Sequence, residues 1–219
     1  MQYLCSFRPL AESESGRAAA EQFRLPPFVD ASCRREPDLE ANFPSISALC
    51  RMRVFAPRLH AGDTVVYITR KAHYFNAVES HWRLAAILKI VASFQSHKAA
   101  AEWYRTEHLP LPSNCMVSGN PPKPLEQTDR FHDDLRHWDA IYRHRARDCG
   151  IFHACESLFV ELHHPPAITE AMMQDIFGKI PGTRNPPAIT DAQLATLRKL
   201  ARDVFSSQSE CLDKRQTRR

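Results

Sequence analysis

Asp30-Ala31-Ser32-Cys33-Arg34-Arg35, followed by Arg51, Arg53 and Arg58, is the densest grouping of side chains able to do chemistry in this chain. Guanidinium groups hold phosphates in a bidentate fork, and a short carboxylate or hydroxyl such as Asp30 or Ser32 can hydrogen-bond a base edge. No acidic residue lies between Glu40 and Asp63, so Arg51, Arg53 and Arg58 occupy a locally positive stretch. The competing reading is a solvated loop whose arginines pair with Glu36, Asp38 and Glu40. A base site also needs rings to stack on, and Phe28, Tyr67, Tyr74, Phe75, Trp82, Trp103 and Tyr104 supply them. Most such rings pack in cores; Tyr74 and Trp82 flank a polar connection and are the better candidates for a ligand.

Other chemistries find weaker footing. Cys33 lies near arginines that could lower its pKa, with His60, His73 or His81 as a base, and Lys71 or Lys89 could serve a Lys/Ser/Glu hydrolase. Cys149, His153 and Cys155 could supply three metal ligands, but no paired CxxC knuckle accompanies them, so no metal is assigned. Neither GxGxxG nor GxxxxGK[ST] occurs, which disfavours dinucleotide and P-loop chemistry, and no cofactor is expected.

Positioning these residues requires a scaffold, and its centre is Leu59 to Arg105. Gly62-Asp63 is a turn signal; Thr64 to Thr69 is β-branched and aromatic; Trp82 to Ser93 is an apolar run broken only by Arg83 and Lys89. Ser96 then caps a helix carrying Ala99, Ala100, Ala101, Trp103 and Tyr104. Gln2 to Phe7 reads as a first strand, and Glu12 to Gln22 as a helix or a polar excursion. The segment from Phe28 to Glu40 reads as too polar for core and too dense in chemistry for a passive linker. Leu109 to Pro124 is a proline-rich, ordered loop. From Asp129 to Arg147 the spacing of Phe131, Leu135, Trp138, Ile141 and Tyr142 is helical, with arginines on the remaining faces, and Ile151 to Leu162 is another strand. Near the end PPAITEAMMQDIFGKI is echoed by PPAITDAQLATLRKLA, two helix starts capped by Thr169 and Thr190, with hydrophobic staples from Ile168 to Met173 and Ile189 to Leu194.

The 219 residues, 43% hydrophobic and 25% charged, are ordinary for a folded globular chain, and the net charge of +4 is consistent with an anionic partner without requiring one. No secretory signal or membrane-spanning run is apparent, so a cytoplasmic protein without membrane contact is expected. Seven cysteines at irregular spacings read as thiols.

With these segments in view, DASCRREPDLE, PSISALCR, FAPRLHAGDTVVYIT and WRLAAILKIVASFQSHKAAAEW, covering about Asp30 to Trp103, resemble the PUA-like superfamily, which includes the ASCH, EVE and YTH domains. The closest resemblance is to the nucleotide-modification-associated domains of bacteria and phages. Leu158 to Leu162 and Ile176 to Pro187 (IFGKIPGTRNPP) also fit that group. The resemblance implies an α+β fold: a partly open β-barrel with flanking helices and a C-terminal helical extension. Its domain would span 1–164, a helical pair 165–205 would pack on it, and 206–219 would be a basic flexible tail.

The implied cleft takes a modified or flipped nucleobase and is lined by Asp30 to Arg35, Arg51 to Arg58, Tyr67, Trp82 and the 113–123 loop. DNA or RNA carrying a modified base is the expected partner, in a modification or defence system. This chain lacks three tryptophans spaced as the aromatic cage of the YTH kind. ASCH relatives also include amidohydrolases and ribonucleases, so a hydrolase or nuclease acting on nucleosides or RNA, with Cys33 or Lys89 catalytic, is the alternative. A protein-interaction module using the proline-rich loop and the final helices is a further one.

Overall fold

A computed structural model of the chain describes residues 1–50, 54–75, 77–130 and 133–216, with only the backbone for 204–216. Arg51 and Arg53, expected in the site, lie outside the described residues. Among the described residues the architecture is α+β: a strongly curled, open six-stranded sheet, a half-barrel, with five helices around it.

β1 (Gln2–Phe7) runs parallel to β3 (Thr64–Thr69), which pairs antiparallel with β4 (Trp82–Phe94). β4 in turn pairs with β5 (Phe152–Val160), and β5 with β2 (Ser45–Ser47), giving the order β1-β3-β4-β5-β2. β6 (Ala167–Ile168) adds to the start of β4. Register shifts at Tyr67/Ile68, Ile87/Leu88 and Ile90/Ala92 insert irregularities into the long central strands. Such bulges increase local twist and bend a sheet, which is the physical source of the curl.

Alternation along the strands builds two cores. Tyr3, Cys5, Phe7, Val65, Tyr67 and Leu88 face one side, where Val29, Ala31, Leu39, Ile46 and Phe55 meet them. Leu4, Val66, Ile68, Leu84 and Ile87 face the other, against Met173, Leu194, Leu197 and Ala201 of α4 (Glu170–Phe177) and α5 (Asp191–Gln216). The helical pair therefore packs on the sheet. α5 continues to Gln216, through the segment that the sequence suggests is a flexible tail.

Local chemistry starts the helices. Ser13 caps α1 (Glu14–Phe23), its hydroxyl accepting the Gly16 amide at 3.0 Å, and Ser96 caps α2 (His97–Thr106) through the Ala99 amide at 3.1 Å. Thr190 and Gln193 form a reciprocal capping box at α5: the Thr190 hydroxyl accepts the Gln193 amide, and the Thr190 amide donates to the Gln193 side chain. α3 (Leu135–Asp148) begins later than the Asp129 suggested by spacing, because the Asp134 carboxylate accepts the His137 amide at 3.0 Å and fixes the helix start there. No described helix is long and apolar enough to cross a membrane.

The stretch from Asp30 to Leu39, which looks too polar for core, is buried almost throughout. Burial is tolerated because each polar side chain finds a partner. Asp38 accepts the Ser113 amide at 2.6 Å and its hydroxyl at 2.7 Å; Arg34 and Arg35 reach across to the proline-rich loop and to α3. This segment is a polar keystone between β2, that loop and α3.

Candidate functional site

The two leading arginines point inward. Arg34 is 0% exposed; its Nε donates to Asp139 Oδ1 at 2.8 Å, Nη2 to the same oxygen at 2.5 Å, and Nη1 to the carbonyls of Ser113 and Asn120. Arg35, also 0% exposed, donates to Glu40 and to the carbonyls of Asp30, Ser32 and Gln127. Gripping a phosphate needs guanidinium groups that face solvent, so these two hold the loop instead and do not form a basic rim. Arg58 stands apart, with Asn185 at 2.7 Å and the Tyr3 ring at 5.3 Å.

Of the expected rings, Tyr74 is fully buried, tilted against Phe28 and edge-on to His81, with its hydroxyl donating to the Arg70 carbonyl at 2.6 Å. Trp82 sits in the core under α4 and α5 with Lys71 over its face at 5.1 Å. The structure puts Trp82 and Tyr67 in cores on opposite faces of the sheet, so one cleft does not take both.

The chemistry expected of the other candidates meets similar obstacles. Cys33 is buried and desolvation pushes its thiol up to about 11, away from the thiolate a nucleophile requires. Lys89 is exposed on β4, in register with Thr64 and Glu156. His153 is held by Ser93 and the Ala56 carbonyl, Cys155 is buried with its thiol shifted upward by desolvation, and Cys149 caps α3. Among the described residues no group of three potential ligands converges on a metal position. Cys5, Cys33, Cys50, Cys115, Cys149 and Cys155 are thiols rather than disulfides.

Asp30 and Ser32 do line a cavity, of about 740 Å³. Its floor is Asp30, Ala31, Ser32 and Glu36; α3 contributes Trp138, Tyr142 and Arg145, and β1 contributes Ser6 and Phe7. Arg8, Arg70, Asp129, Thr183 and Arg184 complete the wall, with Cys50 between the floor and α3. Trp138, Tyr142 and Arg145 recur at helical spacing, and Arg145 lies 5.5 Å from the Tyr142 ring while donating to the Leu49 carbonyl. Glu36, Ser6 and Cys50 also edge a small void of about 20 Å³ beneath, which Tyr67 closes.

The floor carries two carboxyl groups in different states. Asp30 Oδ1 accepts from the Ser32 amide at 3.0 Å and the Ser32 hydroxyl at 2.5 Å; desolvation outweighs these bonds and lifts its pKa to about 6. Glu36 accepts from the Ser47 amide at 2.9 Å, the Ser47 hydroxyl and Asn114 Nδ2 at 3.1 Å. Desolvation, with a smaller contribution from the Asp30 charge, raises Glu36 to about 8. At neutral pH Asp30 is a carboxylate and Glu36 an acid. Four arginines therefore line the cavity against three carboxyl groups, one of them uncharged.

A second groove, of about 680 Å³, follows the seam between α5 and the sheet past Gln2, Ile87, Leu194 and Arg198. It contains no buried carboxyl group, and its inner wall is packing surface.

Sequence reasoning reached Asp30 and Ser32 but treated Glu36 only as an ion-pair partner and Trp138 and Tyr142 only as a helix core face. The readable signal was the 138/142/145 stripe, aromatic, aromatic, arginine, on one side of α3. Thr183 and Arg184 belong to the IFGKIPGTRNPP segment already noted for its resemblance.

An open α+β half-barrel with an acid-floored, arginine-lined, aromatic-walled cavity is the class of protein that fold and site define. Comparison with family models, curated proteins and solved structures yields no match.

Proposed function

We propose that this protein binds nucleic acid by taking one flipped or unpaired base, carrying a modification, into the cavity between α3 and the floor segment, in a PUA-like half-barrel serving a modification or defence system. The observation that carries the reading is the conjunction in one 740 Å³ cavity of Trp138 and Tyr142 with Asp30, Glu36 and four arginines. A flipped base needs a ring to stack on, hydrogen-bonding groups at its edge and cations for the flanking phosphates. A cavity of this size lies in the range that takes a nucleotide-sized ligand.

Arg70 and Arg184 take the phosphate role that Arg34 and Arg35 were expected to fill. Anisotropy of a labelled single-stranded oligonucleotide tests this: affinity falls steeply as salt rises, and Arg70→Ala and Arg184→Ala each flatten the log–log salt slope by about 1. Absence of binding at low salt defeats the reading.

One observation favours a second reading, hydrolysis of a nucleoside or RNA linkage: Glu36, an acid with a proton affinity in the neutral range, shares the cavity with Cys50. Turnover of modified nucleosides or RNA that disappears in Glu36→Gln would favour it over binding alone. Docking of a protein partner has less support: the large apolar side chains exposed among the described residues, Met1, Val54, Phe75, Val78, Val91, Leu158 and Ile180, are few.

A further inference from the structure

Glu36 and Asp30 share the cavity floor, and the interactions described for Glu36 include hydrogen bonds and the Asp30 charge but no basic side chain. Glu36 Oε2 is filled by the Ser47 hydroxyl and Asn114 Nδ2, while Oε1 accepts only the Ser47 amide, so one position on Oε1 is left. Asp30 Oδ1 accepts from the Ser32 amide and hydroxyl, and the Glu36 amide also donates to the Asp30 carboxyl. The arginines on the floor segment are turned away from the cavity: Arg35 spends its fork on Glu40 and on backbone carbonyls, and Arg34 on Asp139 and the loop. Among the described residues, the floor thus sets Asp30, which feels the Arg35 charge, beside Glu36, for which no basic neighbour is described, while Arg8, Arg70, Arg145 and Arg184 stand elsewhere on the lining.

Resting on the base-binding reading, we infer that the modified base this cavity takes is a positively charged one: a ring-alkylated heterocycle such as 7-methylguanine, 1-methyladenine or 3-methylcytosine. Such a ligand is cationic at its base and anionic at its phosphates, matching an acidic floor with arginines on the walls. A delocalised cation beside the two carboxyl groups offsets the desolvation that otherwise keeps Glu36 protonated, and with it the smaller repulsion from Asp30. The Trp138 ring on the cavity wall adds cation–π attraction, which is stronger for a charged ring than for its neutral parent, whereas Tyr142 already has Arg145 over its ring. Binding ionises Glu36, so one proton leaves the protein as the charged ring enters.

Calorimetric titration with 1-methyladenosine 5′-monophosphate, whose base is cationic at neutral pH, and with adenosine 5′-monophosphate, near pH 7 in PIPES and again in Tris, tests the inference. The methylated nucleotide should bind about tenfold tighter or more, the magnitude of a desolvated cation–π contact. Its apparent enthalpy should differ between the two buffers by the proton released. Glu36→Gln should remain folded near pH 7 and be no less stable than wild type; its ratio of affinities for the two nucleotides should fall toward one, and the buffer dependence should disappear. Equal affinity for the two nucleotides overturns the inference and leaves base binding standing; failure of both to bind, when oligonucleotides also fail, overturns the base-binding reading with it.

Discussion

Replacing Arg34 with alanine should destabilise the fold by about 3–5 kcal/mol, the usual cost of removing one partner of a buried ion pair. The side chain is 0% exposed, and its removal strands the carbonyls of Ser113 and Asn120 while Asp139 keeps only its contact with Arg143. Buried acceptors left without donors cost about 1–3 kcal/mol each, so the two carbonyls alone approach the expected total. For a chain of this length the melting temperature should fall by roughly 10 °C. Arg34→Lys should recover only part of the loss, because an ammonium cannot span Asp139 and both carbonyls as a planar fork does. Urea denaturation gives the comparison. A loss below about 1 kcal/mol would mean that the guanidinium is not the tie described here.

The second large effect is a pH dependence of stability. Glu36 is raised from 4.5 in the unfolded chain to about 8, so between those values the folded state holds a proton that the unfolded state has released. Stability from this group is therefore greatest below about pH 4.5, declines as pH rises to about 8, and then levels. Asp30 has the same sign over a narrower window, from 3.8 to about 6. His97, lowered to about 4 by desolvation, acts in the opposite sense between that value and 6.5, so the raw profile below pH 6.5 is a mixture. The difference between wild type and Glu36→Gln removes the mixture. The variant should gain on the wild type by about 3–5 kcal/mol between pH 5 and pH 8, at about 1.4 kcal/mol per pH unit. Parallel profiles would show that Glu36 titrates normally and that the floor is wetter than its burial indicates.

Much of the scaffold was legible because local rules and tertiary structure agree on it. Thr64 to Thr69 and Trp82 to Phe94 are β-branched or continuously apolar and become the central pair β3–β4; Ser96, Thr169 and Thr190 cap helices as their types suggest. The half-barrel was expected, and its curl follows from bulges that no local pattern announces. The site was half legible. Asp30 and Ser32 reach the cavity, but Arg34 and Arg35 do not, because whether a polar residue is buried depends on partners 79 to 105 positions away, Ser113 and Asp139. Charge density along the chain looks the same for a phosphate clamp and for a buried staple. Glu36 was hidden for a related reason: its proton affinity comes from desolvation on burial, which the hydrogen bonds from Ser47 and Asn114 only partly offset, and only the folded chain buries it among them. Trp138 and Tyr142 show the reverse limit, since helical spacing located their face without telling core from cavity wall.

The central claim is that a base, and not the sugar–phosphate backbone alone, occupies the cavity beside Trp138. The most direct measurement compares a single-stranded oligonucleotide bearing the modified base with the same strand abasic at that position, for wild type and for Trp138→Ala. Stacking on an aromatic side chain contributes about 1–3 kcal/mol per base, so wild type should lose about 5- to 150-fold in affinity for the abasic strand, and Trp138→Ala should hardly distinguish the two. Equal affinity of wild type for both strands would contradict the account.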